Sequence, residues 1–137
     1  MRRRGGVPLG AGLEATLDLT CADVRRPSMA PDALWRHSRN SIRIARLLVH
    51  DGGSPQLVET ACELAMECAC RALCTARGAL YDGELPANLN RLAAPREIME
   101  RVSTTCGSSE RLDLTERVAA WAAACLRECR PMGNWSF

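Results

Sequence analysis

Residues 35–78 read WRHSRNSIRIARLLVH (35–50), DGGS (51–54) and PQLVETACELAMECACRALCTARG (55–78). Leu34, Trp35, Ser38, Ile42, Ala45, Leu48 and Val49 recur at spacings of three and four, which places them on one face of a helix starting near Pro31. Proline is tolerated in a first turn because its missing N–H would have no intrahelical acceptor there. Asp51-Gly52-Gly53 ends this helix, glycine supplying the positive φ that helix ends adopt. Ser54-Pro55 restarts the chain as an N-cap followed by Pro at the first helical position. The second helix runs to about Arg77, with Gly78 as its stop. Its residues Val58, Ala61, Ala65, Ala69, Ala72 and Ala76 make a small-residue face that admits a close neighbour. Glu59, Glu63, Glu67 and Arg71 advance by fours as a polar stripe. Two such helices joined by so short a link form an antiparallel αα-hairpin.

Beyond Gly78 the pattern is more broken. Residues 79–94 contain Gly83 and Pro86, with one short helix expected at Ala87–Leu92. Pro95 opens a third helix through Val102, and Ser103-Thr104-Thr105 followed by Gly107 ends it. Asp113 with Glu116 three residues later fits a capping box and predicts a last helix to about Cys129. Leu114, Val118, Trp121, Cys125 and Cys129 share one face of it, and Pro131 and Gly133 end the order. Residues 1–27, broken by Gly5, Gly6, Pro8, Gly10 and Gly12, read as a flexible or weakly ordered leader. Residues 28–130 read as the helical bundle and 131–137 as a C-terminal tail. The expected fold is all-α: a four- or five-helix up-and-down bundle with Trp35 and Trp121 contributing to its core.

Composition narrows the function classes. A chain of 137 residues is one domain's worth of material and needs no metal or disulfide staple for its core. Hydrophobic residues make up 47% but aromatic residues only 4%, and a core of small side chains suits close-packed helices better than a sandwich or barrel. All 18 basic side chains are Arg. Five of them, against three acids, fall in residues 1–30, so the remainder is neutral. That balance argues against broad non-specific nucleic-acid binding and leaves room for a local Arg patch. Arg2–Arg4 lead into a Gly- and Pro-containing stretch rather than the apolar segment of a signal peptide. No run approaches the length of a membrane span. Six of the eight Cys lie inside predicted helices, not in a short-loop disulfide framework. A cytoplasmic, reduced protein is the expectation.

The run Ala45-Arg46-Leu47-Leu48 before the Gly turn resembles the end of the first helix in the HEPN family, the "higher eukaryotes and prokaryotes nucleotide-binding" helical domains. Ala65, Glu67, Ala69, Arg71, Ala72, Leu73 and Gly78 are similar to that family's second-helix pattern, with Arg where Lys is usual. Leu89-Asn90-Arg91-Leu92 resembles its short following element. The resemblance covers roughly residues 31–129 and implies an up-and-down helical bundle that pairs as a homodimer. Many HEPN ribonucleases carry Arg, then four to six residues, then His, near the end of the bundle. Here the only histidines are His37 and His50, and the Arg43/His50 pair lies in the first helix. The resemblance therefore implies the non-catalytic branch: a binding module for a nucleotide, RNA or protein, with a nucleotidyltransferase-like protein as one such partner.

The candidate ligand-binding residues follow. Arg36, Arg39, Arg43 and Arg46 recur every three or four residues as a ridge whose guanidinium groups can fork onto phosphates or carboxylates, or simply face water. His50 sits in the last turn, where the helix terminus favours a protonated ring. Glu67 and Arg71 stand at i and i+4, the favourable order for a helix ion pair, and the family resemblance offers them a ligand- or partner-fixing role as well. Two other classes stand beside this reading. Cys62, Met66, Cys70 and Cys74 descend the second helix in steps of four, and Cys125 and Cys129 repeat the step, a pattern similar to copper-storage bundles; soft ligands of this kind select Cu(I) or Zn. The competing account treats these thiols as small hydrophobes, with no metal or other cofactor. The remaining class is a HEPN-type ribonuclease working through Arg43 and His50. No Cys-x-x-Cys pair, His-Glu-x-x-His helix or phosphate-cradling Gly loop is present, so no catalytic residue is assigned.

Overall fold

The structure, a computed structural model, describes residues 29–137; the expected leader at 1–27 and Cys21 lie outside the described residues. Five helices and no strand occur among the described residues: α1 (Pro31–His50), α2 (Pro55–Ala76), α3 (Leu85–Arg91), α4 (Arg96–Thr104) and α5 (Ser108–Cys129). The fold is all-α, as expected. No helix among the described residues is long and apolar enough to cross a membrane.

Pro31 stands in the first turn of α1 and Pro55 in that of α2. Gly52, at φ +67°, lets the end of α1 close: Gly53 N–H reaches the Leu48 carbonyl at 2.7 Å and Gly52 N–H the Val49 carbonyl at 3.3 Å. This paired closure satisfies two carbonyls that the helix itself leaves open. Ser54 holds the N-cap position of α2, but its hydroxyl goes to the Gln56 side chain at 2.8 Å rather than to a backbone N–H.

α2 is the central helix. It packs against α1, α3 and α5, α4 bridges α3 and α5, and α1 touches neither α3 nor α4. The small residues Ala61, Ala65, Ala69 and Ala72 are all fully buried, and the Ser38 hydroxyl of α1 donates to the Ala65 carbonyl at 2.7 Å across the α1–α2 seam. Such a bond requires the two backbones to lie close, which bulkier residues at these positions would prevent. The close neighbour that the small-residue face of α2 admits is thus α1 of the same chain. Ion pairs fix the direction of α5. Arg46, near the end of α1, meets Glu116 in the first half of α5, and Arg111 at the start of α5 meets Glu59 near the start of α2. α5 therefore runs parallel to α2 and antiparallel to α1, and the segment 77–107 is a crossover that returns the chain.

Three sequence expectations shift. The last helix starts at Ser108, not at Asp113, because Gly107 at φ +85° turns the chain directly into it. Asp113 instead lies inside α5, between Arg101 at 3.0 Å and Arg117 at 3.3 Å. The short helix begins at Leu85, two residues earlier than expected. Buried Asn88 organises the connector before it, its Oδ1 accepting from Asp82 N–H at 3.0 Å and its Nδ2 donating to the Glu84 carbonyl at 2.7 Å. Order also continues past Pro131 and Gly133. Trp135 is buried at 2% exposure and meets Trp35 edge-on at 6.2 Å, whereas Trp121 is half-buried at the core's margin.

A candidate binding face and an adjoining cleft

Along α1, residues three and four apart share a face, so Arg36, Asn40, Arg43, Leu47 and His50 form one stripe. All five are exposed, Leu47 at 62%, large for an apolar side chain. Arg36, Arg43 and His50 have no ion-pair partner among the described residues. Arg39 and Arg46 flank the stripe and are engaged elsewhere. Arg46 Nε lies 2.6 Å from Glu116 Oε2. Arg39 is half-buried beside the C-terminal tail, its Nη1 3.5 Å from the Ser136 carbonyl and its Nε buried without a partner. The four-Arg ridge expected from sequence is therefore two outward guanidinium groups with two at its edge.

Glu67 and Arg71 lie elsewhere, on the side of α2 that meets the crossover. Arg71 Nε is 3.0 Å from Glu67 Oε2, both side chains only about a fifth exposed, at 21% and 19%. The Arg71 guanidinium also stacks on the Tyr81 ring at 4.3 Å, a cation–π contact worth roughly 0.5–1 kcal/mol at a partly exposed site. Burial raises the Tyr81 hydroxyl above its ordinary pKa, and the Glu67 carboxylate adds to the effect. Tyr81 was missed by the sequence reading; its signal was that the chain's single Tyr lies three residues past Gly78, the α2 stop. The α1 stripe and the Arg71 guanidinium, held between Glu67 and Tyr81 where α2 meets the crossover, stand at different places on the bundle. The candidate ligand-binding set divides into two places.

The acidic stripe of α2 lines two adjoining clefts between α2, α5 and the crossover. One, of about 310 Å3, has Glu63, Glu67 and Glu84 at its walls with Met66, Tyr81, Leu85, Pro86 and Val102. The other, of about 250 Å3, lies between Pro55, Val58, Glu59 and the Cys106–Ser108 turn. Arg111 borders both, 3.5 Å from Glu59 Oε2 and 3.3 Å from the Thr105 carbonyl. Desolvation against the cleft wall pushes the Glu63 carboxyl up, Glu59 adding to the shift, Arg111 opposing it and Glu67 adding a smaller share.

The thiols divide by depth. Cys62, Cys68, Cys70 and Cys74 are buried, Cys125 is half-buried, and Cys106 and Cys129 are exposed. Burial raises the pKa of Cys62, Cys70 and Cys74, which favours the neutral thiol over the thiolate that a metal ion takes. The described residues contain no group of three or more His, Cys, Asp or Glu side chains placed to hold a metal ion. No protein-family model, curated protein or solved structure matches the chain.

Proposed function

We propose that this bundle is a non-catalytic, HEPN-like binding module that holds an acidic surface of a protein partner on the outward stripe of α1. The observation that carries this reading is the exposed run Arg36–Asn40–Arg43–Leu47–His50 on a helix whose packing partners among the described residues are α2, α5 and the C-terminal tail, all on its other faces. Two guanidinium groups without carboxylate partners among the described residues offer forked donors to carboxylates. Leu47 between Arg43 and His50 gives the stripe an apolar centre with a polar surround, the usual anatomy of a protein interface. A nucleotidyltransferase-like protein, the partner class implied by the family resemblance, is one candidate.

Nucleotide and RNA binding are weaker readings of the same face. Tracking a nucleic-acid backbone takes many phosphate contacts, and Arg46, Arg71 and Arg111 are already committed to carboxylates. Pairing two copies through α1 about a two-fold axis brings Arg43 against Arg43, which favours a different partner over a homodimer on this stripe. Native mass spectrometry of protein purified from its own source is the test. A heteromeric species that dissociates as salt is raised is expected. RNA cleavage that disappears in His50→Ala, or a stoichiometric mononucleotide with no protein partner, contradicts the reading.

A further inference from the structure

From the chemistry of the larger cleft we infer a second docking surface, one that takes a basic, apolar segment of a partner protein. Met66, Leu85, Pro86 and Val102 give the cleft apolar walls, and Glu63 and Glu84 stand at it without ion-pair partners among the described residues. Glu67 adds a third carboxylate, already held by Arg71. The one cation lining the cleft among the described residues, Arg111, is engaged by Glu59 and the Thr105 carbonyl. Apolar walls under an acidic rim match one kind of side chain: Lys and Arg bury a hydrocarbon stem on apolar surface and keep the charged head at its edge. An anionic ligand meets the opposite fit, since its charge faces three carboxylates. At about 310 Å3 the cleft is at the small end of ligand sites, suited to side chains of a docked segment rather than to a large cofactor.

This surface is separate from the α1 stripe, because α1 touches neither α3 nor α4. The two faces carry opposite charge and are tested independently. The probe is a fluorescein-labelled nine-residue peptide alternating Leu and Arg, titrated into the full chain and followed by anisotropy. A matched peptide with citrulline, the neutral isostere, replaces Arg as the control. The expected result is saturable binding of the Arg peptide, weakened about tenfold both by the citrulline exchange and by Glu63→Gln with Glu84→Gln. Arg36→Gln with Arg43→Gln, on the other face, leaves that affinity within about twofold. The isosteric Gln substitutions are at exposed positions, and unchanged circular dichroism verifies the fold. Equal affinity for both peptides, full affinity in the Glu63/Glu84 variant, or no binding overturns the inference. So does sedimentation showing that the Glu63/Glu84 variant breaks up a self-associated species, which makes the occupant a second copy of this chain.

Discussion

The indole N–H of Trp35 donates to the carbonyl of Ser136 at 2.9 Å, tying the start of α1 to the residues after α5. Trp135 completes the clasp. Its ring meets Trp35 edge-on at 6.2 Å, and its own N–H donates to the Arg130 carbonyl at 2.9 Å. Phe137 meets Trp35 from another side at 6.1 Å. Both indole donors are satisfied, so the aromatic burial carries no unpaired polar group.

Trp135→Ala is therefore expected to cost about 3–5 kcal/mol in urea or guanidinium unfolding, the range for removing a large buried aromatic side chain. Trp35 emission should move to longer wavelength as water reaches it. A loss below about 1 kcal/mol with unchanged emission would show that the tail is not part of the core.

Ala93 closes α3 at φ +62°, the one non-Gly residue with positive φ among the described residues. A left-handed L-residue costs roughly 1–2 kcal/mol, partly offset by the greater freedom that glycine has when unfolded. Ala93→Gly should stabilise the protein by about 0.5–1 kcal/mol, read as a higher melting temperature. A lower melting temperature contradicts the assignment.

The α1–α2 seam depends on small side chains. Ala65 is buried at 1%, and its carbonyl receives the Ser38 hydroxyl. Ala65→Leu has no room without separating the helices, and about 1–3 kcal/mol of destabilisation is expected. An unchanged unfolding midpoint would mean that the seam is looser than described.

Alkaline pH should weaken the fold. Burial raises the pKa of Cys62, Cys70, Cys74 and Tyr81. Above the ordinary thiol value of about 9, the unfolded chain gives up protons that the folded chain retains, so stability falls as pH rises. Asp113, held low by Arg101 and then Arg117, works in the other sense: its contribution is present above the usual carboxylate range and is lost as pH falls through it. In a thiol-reagent assay Cys106 and Cys129 should react promptly and the four α2 thiols only on unfolding. Rapid native labelling at α2 contradicts the burial assigned to it.

The hairpin of α1 and α2 was legible because each helix carries many turns of unbroken periodicity between a Pro start and a Gly stop. The start of α5 was not. Asp113 and Glu116 mimic a capping box, and the deciding feature is the positive φ of Gly107. Trp135 was hidden for another reason: Pro131 and Gly133 correctly deny a helix, but burial of the tail is decided by Trp35, far away in sequence. At the candidate sites the Glu67–Arg71 pair could be read from its spacing. The stacking of Arg71 on Tyr81 and the position of Arg111 between two clefts depend on the path of the crossover, which no local pattern encodes.

The proposed docking of an acidic partner surface on the outward stripe of α1 can be tested directly. Its most direct measurement is recovery of the partner by Arg36→Glu with Arg43→Glu beside the native chain, both purified from the native source at low salt and weighed by native mass spectrometry. A heteromeric complex is expected with the native chain, lost on charge reversal while helix content and melting temperature stay unchanged. The same complex recovered at the same stoichiometry with the charge-reversed chain would contradict it.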